Sequence, residues 1–108
     1  MLRIQPLILE MARDVREYTD QISCNDRDLA RQLRRSSMSV VLNTAEGYSS
    51  TGGTKRARYE TALGSLRETL AGLQGAEALG YVPQLRPATL GRFDQLGGAL
   101  YKLANRQP

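Results

Sequence analysis

Leu29-Ala30-Arg31-Gln32-Leu33-Arg34-Arg35-Ser36-Ser37-Met38-Ser39-Val40-Val41-Leu42-Asn43-Thr44-Ala45-Glu46-Gly47 is the stretch whose periodicity decides the fold. Leu29, Leu33, Ser36, Val40 and Asn43 or Thr44 recur at i, i+4, i+7 and i+11, the spacing of one helix face. Gly47 stands where a helix stop is expected. The stripe is narrow and partly polar, which suits close packing against other helices. The opposite face changes along its length, from Arg27, Arg31, Arg34 and Arg35 to Met38, Val41, Leu42 and Ala45. A helix apolar all round in its second half needs cover from more than one side. In a chain of 108 residues that cover is expected from another subunit, which makes Met38, Val41, Leu42 and Ala45 the expected oligomer interface.

The sequence on either side is also helical. Pro6 suits a first helical position, and Leu7, Ile8, Met11, Val15, Tyr18 and Ile22 form one stripe, which predicts a helix over about 6–22. Arg13, Asp14, Arg16, Glu17 and Asp20 are assigned to its outer face. Ser23 to Asp26 read as a turn, with Asn25 the expected cap of the second helix, over about 26–48. Tyr48-Ser-Ser-Thr-Gly-Gly-Thr54 reads as a loop, with Thr54 capping a third helix over about 55–79 that stops at Gly80. Tyr59, Leu63, Leu66, Leu70 and Leu73 are its apolar stripe. Interior glycines cost about 1 kcal/mol each against Ala. Gly64, Gly72 and Gly75 therefore predict a close helix–helix contact. After the turn holding Pro83 and Pro87, a fourth helix over about 84–105 is expected to point Leu90, Phe93, Leu96, Leu100 and Leu103 inward.

No segment alternates as a strand does. The expected fold is a single all-α domain over residues 1–108, an antiparallel up-down four-helix bundle that oligomerises. No apolar run reaches membrane-spanning length, and the N-terminal Met-Leu-Arg-Ile-Gln-Pro-Leu lacks the pattern of a signal peptide. Cys24 is alone, so neither an intrachain disulfide nor a cysteine zinc site is expected. A cytoplasmic location is the expectation.

The chain has no His, no nucleophile elbow and no phosphate-binding Gly loop. Gly52-Gly53-Thr54-Lys55 lacks the spacing and the preceding strand of a P-loop and reads as a loop entering a helix. Neither an enzyme nor a cofactor is expected.

Two polar constellations remain. Arg27, Arg31, Arg34 and Arg35 line one helix face, and guanidinium forks suit phosphate oxygens. Lys55, Arg56 and Arg58 extend that patch if the loop brings them near, although cations in a helix's first turn oppose its dipole. The alternative is a solvated face with arginines paired to Asp26, Asp28 or Glu60. Asn43, Glu46 and Glu68 form the second group; Asn43 and Glu68 are expected to be partly buried, with Arg34, Arg35 or Arg67 to pair a buried carboxylate. It reads either as a polar network fixing register or as a small-molecule pocket. Tyr48, beside the loop, is the aromatic kept for base stacking, and Tyr59 reads as core.

Gln32-Leu33-Arg34-Arg35-Ser36-Ser37-Met38-Ser39-Val40, then Asn43-Thr44-Ala45-Glu46-Gly47, Gly64-Ser65-Leu66-Arg67-Glu68 and Ala78-Leu79-Gly80-Tyr81 together resemble one bacterial family. It is the four helix bundle family of 23S rRNA intervening-sequence proteins, which includes the accessory variability determinant of diversity-generating retroelements. The resemblance spans nearly the whole chain. It implies a four-helix fold, a homopentamer and a tie to nucleic acid, and no chemistry. The retroelement relative adds a reverse transcriptase as a possible type of protein partner. One subunit carries a net charge of +4. Five would carry about +20, so assembly decides how strongly the charge acts.

Overall fold

Proline in the first turn and a continuous apolar stripe produce the first helix, α1, Gln5–Ile22. Ile8, Met11, Val15, Tyr18 and Ile22 are each at most 2% exposed, so the stripe read from spacing is the buried one. In the computed structural model of the chain, residues 3–106 are described. Met1 and Leu2, which head the stretch read for a leader, and Gln107 and Pro108 lie outside them.

Ile22 closes α1 by accepting from the backbone N–H groups of both Asn25 and Asp26, at 2.9 and 2.8 Å. Asp26, not Asn25, then caps the second helix, α2, Arg27–Ser49. Its carboxylate accepts from Leu29 N–H at 2.9 Å, which satisfies one of the donors a helix start leaves open. Asp28 in the first turn adds a favourable charge–dipole term.

Gly47 does not stop α2. It lies inside the helix, buried, where an added Cβ would sit 2.9 Å from the Tyr59 ring. The connection to the third helix, α3, Gly52–Ala78, is only Ser50 and Thr51. Thr51 rather than Thr54 holds the N-cap position, and Gly52 makes the turn with a φ of 59°. Lys55, Arg56 and Arg58 therefore lie mostly beyond the first turn, and the expected conflict with the helix dipole largely disappears. Tyr81 and Gly80 donate back to Ala76 and Glu77 in a Schellman closure at the far end of α3. Glu77 Oε1 accepts from Leu85 N–H at 2.8 Å, which pins the following loop and its buried Val82 and Leu85. The fourth helix, α4, Pro87–Asn105, starts three residues later than its pattern suggests, with Pro87 in its first turn.

The four helices pack side by side as an elongated bundle, 44 × 25 × 21 Å, and no strand occurs among the described residues. The α2–α3 seam is the most extensive, α3–α4 and α1–α2 follow, and α1–α4 is thinner. Small residues explain the first of these. Ser36 and Thr69 share a buried hydrogen bond at 2.7 Å, and Ser39 and Ser65 share a partly buried one at 2.7 Å. Gly72 lies so close to Leu33 that a side chain there would overlap it. Of the three glycines expected to make a helix contact, only Gly72 does so. Gly64 and Gly75 face open space, and Leu90, expected inward, is 39% exposed.

The thin α1–α4 contact is reinforced by ions. Asp14, assigned to the outer face from sequence, is buried between the two helices. It accepts from Arg92 Nε at 2.6 Å and Nη2 at 3.0 Å, and from Arg86 Nη2 at 3.3 Å. Arg86 also pairs with Glu17 at 2.8 Å and lies 5.0 Å from the centre of the Tyr18 ring. The hydrogen bond to Glu17 above all raises the Arg86 pKa, and that to Asp14 does so for Arg92. Both guanidiniums remain charged at any pH the fold meets. No helix among the described residues is long and apolar enough to cross a membrane.

Candidate functional site

The outward face of α2 carries two parallel rows of side chains at i, i+4 spacing. Arg31, Arg35, Ser39 and Asn43 form one, and Arg34, Met38, Leu42 and Glu46 the other. Together with Arg58 from α3 they line a shallow trough of about 520 Å³. Cations occupy one end, two apolar side chains the middle, and a polar cluster the other end.

At the cationic end, Arg31 lies 3.8 Å from Asp28 and Arg34 lies 4.0 Å from Asp20, contacts at the outer limit of an ion pair between exposed groups. Such pairs contribute little and release easily. Arg27 and Arg35 are exposed and make no ion pair among the described residues. Lys55 and Arg56 do not join the trough; Arg56 pairs with Glu60 at 2.9 Å on its own helix. Of the seven basic residues expected to form one patch, Arg31, Arg34, Arg35 and Arg58 share a surface.

The polar end is organised by Arg58. Its Nε lies 3.1 Å from Glu46, and its Nη1 donates to Asn43 Oδ1 at 3.4 Å. Asn43 Nδ2 donates to the Ser39 carbonyl and hydroxyl, both at 3.0 Å. Asn43 and Glu46 are thus linked, but through Arg58 and not through Arg34, Arg35 or Arg67. Glu46 is exposed. Glu68 is exposed too and lies apart from them, beside Asp28, Arg31, Gln32 and Arg35. Of the three residues expected in one polar network, Asn43, partly buried as expected, and Glu46 are brought together, and Glu68 is not.

The four residues expected at a subunit contact divide as well. Met38 and Leu42, 52% and 53% exposed, sit in the trough between the arginines and Glu46. Val41 and Ala45 turn toward α1, where they line a cavity of about 130 Å³ with Ile8, Leu9, Thr44 and Tyr48. Thr44 Oγ1 is buried there without a hydrogen-bond partner among the described residues. Tyr48 is half exposed and Tyr59 is core, at 1%. Burial above all raises the Tyr59 pKa, with Tyr48 adding to it. No group of acidic, Cys or His side chains able to hold a metal occurs among the described residues.

The second residue row was missed in the sequence, although it is legible there. Counting fours from Arg31 leads through Ser39 to Asn43, and counting fours from Arg34 leads through Met38 to Glu46. Arg58 carried no such signal, because its place depends on how α3 lies against α2.

Four helices packed as a bundle, with Arg31, Arg34, Arg35 and Arg58 sharing one trough, define an all-α bundle protein. The chain belongs to the 23S rRNA-intervening sequence protein family, whose model matches residues 2–97. No curated protein and no solved structure matches it.

Proposed function

We propose that this protein is a non-enzymatic homo-oligomeric scaffold that binds structured RNA or DNA electrostatically through the α2 trough. The observation that carries this reading is the convergence of Arg31, Arg34, Arg35 and Arg58 on one open surface, the first three loosely paired or unpaired. The family description adds a link to ribosomal RNA. The helices are read as an antiparallel up-down bundle because α3 partners rise in number as α2 residues fall: Leu33 with Gly72, Ser36 with Thr69, Ser39 with Ser65 and Glu46 with Arg58. Subunits are proposed to meet at the α1–α2 cleft, where Leu9, Val41, Ala45 and Tyr48 present apolar surface, leaving the trough open on each copy. Five copies is the number that the family resemblance implies, and symmetry then repeats the trough around a ring.

Fluorescence anisotropy of a labelled RNA hairpin and a DNA duplex, across salt concentrations, tests this directly. Binding is expected to weaken with a slope of about −0.9 per phosphate contacted on a duplex. Arg31→Glu and Arg34→Glu should weaken it without unfolding the bundle, since both side chains are exposed. Absence of binding at low salt would remove the reading in favour of a protein–protein adaptor, for which a reverse transcriptase is one type of partner.

A further inference from the structure

We propose that the trough takes an unpaired nucleotide beside a duplex, with its base covering Met38 and Leu42. This rests on the nucleic-acid reading of the same surface and goes beyond it. Phosphate contacts need only the arginines, and a fully paired RNA helix presents phosphates, riboses and groove edges, none of them an apolar face. Yet the middle of the trough is apolar. Met38 and Leu42 lie one helical turn apart, each about half exposed, directly following Arg34 and Arg35. A splayed base has two broad faces to cover them, and the thioether of a methionine packs favourably against an aromatic ring.

The polar end supplies an edge contact. Asn43 is held by two hydrogen bonds from its Nδ2 to Ser39, while its Oδ1 receives only the 3.4 Å contact from Arg58. A carbonyl oxygen has two acceptor sites, so this one can still accept from a base amino or imino group. The order along α2 is therefore phosphate, base face, base edge. Charge favours the nucleotide, since Arg31, Arg34 and Arg35 end the trough with the sign that draws a phosphate; a second copy seated on the same trough is the competing occupant.

The test compares two labelled RNAs with equal numbers of phosphates, one fully paired and one with a short bulge, binding to the whole protein. The bulged RNA is expected to bind about tenfold tighter, the scale of covering one base. Met38→Ser with Leu42→Ser should abolish that preference, so that the bulged and the paired RNA bind the variant equally. Met38→Leu, which keeps the apolar cover, should retain the preference. Equal binding of the two RNAs by the parent protein, or a preference that survives the double variant, overturns the inference and leaves the electrostatic reading standing. A double variant with a changed subunit number by light scattering also overturns it, because the pair then belongs to a subunit contact. Failure of either RNA to bind at low salt removes the nucleic-acid reading itself, and this inference with it.

Discussion

Tyr59 shows how much one side chain can carry. Its ring lies against the backbone of Gly47, and it is 1% exposed. Burial holds its pKa above the ordinary value of 10. The folded protein then keeps this proton over a range where the unfolded chain has released it. Stability is fully present below about pH 10, falls as pH rises above it, and levels off past the folded pKa. While it falls, the loss approaches about 1.4 kcal/mol per pH unit for this one proton. Urea denaturation between pH 8 and 11 should show that decline, and Tyr59→Phe should make it shallower by up to that amount. The same contact explains a misreading. Glycine is both a common helix stop and a residue that lets an aromatic ring lie on a helix backbone. Position 47 alone does not distinguish the two uses, because the difference lies in where residue 59 falls.

At the level of helices, the periodic stripes of α1 and α2 were legible because burial follows spacing. Asp14 was the exception. It falls three residues after Met11 and four before Tyr18, on the edge of the buried stripe, but its charge argued for solvent. Only the arrival of Arg92 and Arg86 from the far end of the chain makes its burial tolerable. Asp14→Asn keeps the shape and removes the charge, so two guanidiniums face a neutral amide. A loss of about 2 kcal/mol is expected, the scale of a hydrogen bond to a charged partner. It should appear as a lower urea midpoint with an unchanged slope. The start of α3 was illegible for a different reason: Gly52 and Gly53 have low helix propensity, yet Lys55 N–H donates to the Thr51 carbonyl and opens the helix ahead of Thr54.

For the molecule as a whole, what matters is how its surfaces are divided. The sequence places apolar residues on more than one side of the second half of α2. It does not show that Val41 and Ala45 turn toward α1 while Met38 and Leu42 turn toward the arginines, because that depends on the rotation of α2 between its neighbours. If subunits meet at the α1–α2 cleft, Ala45→Glu should yield a 12.0 kDa species by light scattering with undiminished helical circular dichroism. Ala45 is exposed in the single chain, so the substitution need not disturb its core. The parent protein should run as a multiple of that mass, and monomeric behaviour of the parent would exclude assembly. A monomeric variant should also bind nucleic acid more weakly, because one trough then acts where several acted together.

The two-residue link between α2 and α3 also bears on the order in which the chain is built. Closing so short a loop costs little entropy, and the seam it joins is the most extensive in the molecule. The α2–α3 pair is therefore expected to nucleate folding, with α1 and α4 docking onto it. Every residue of the trough, from Arg31 to Arg58, lies within that pair. During synthesis the trough is thus encoded and able to form before the residues of α4 have been added, so a nascent chain carries this surface ahead of its complete core.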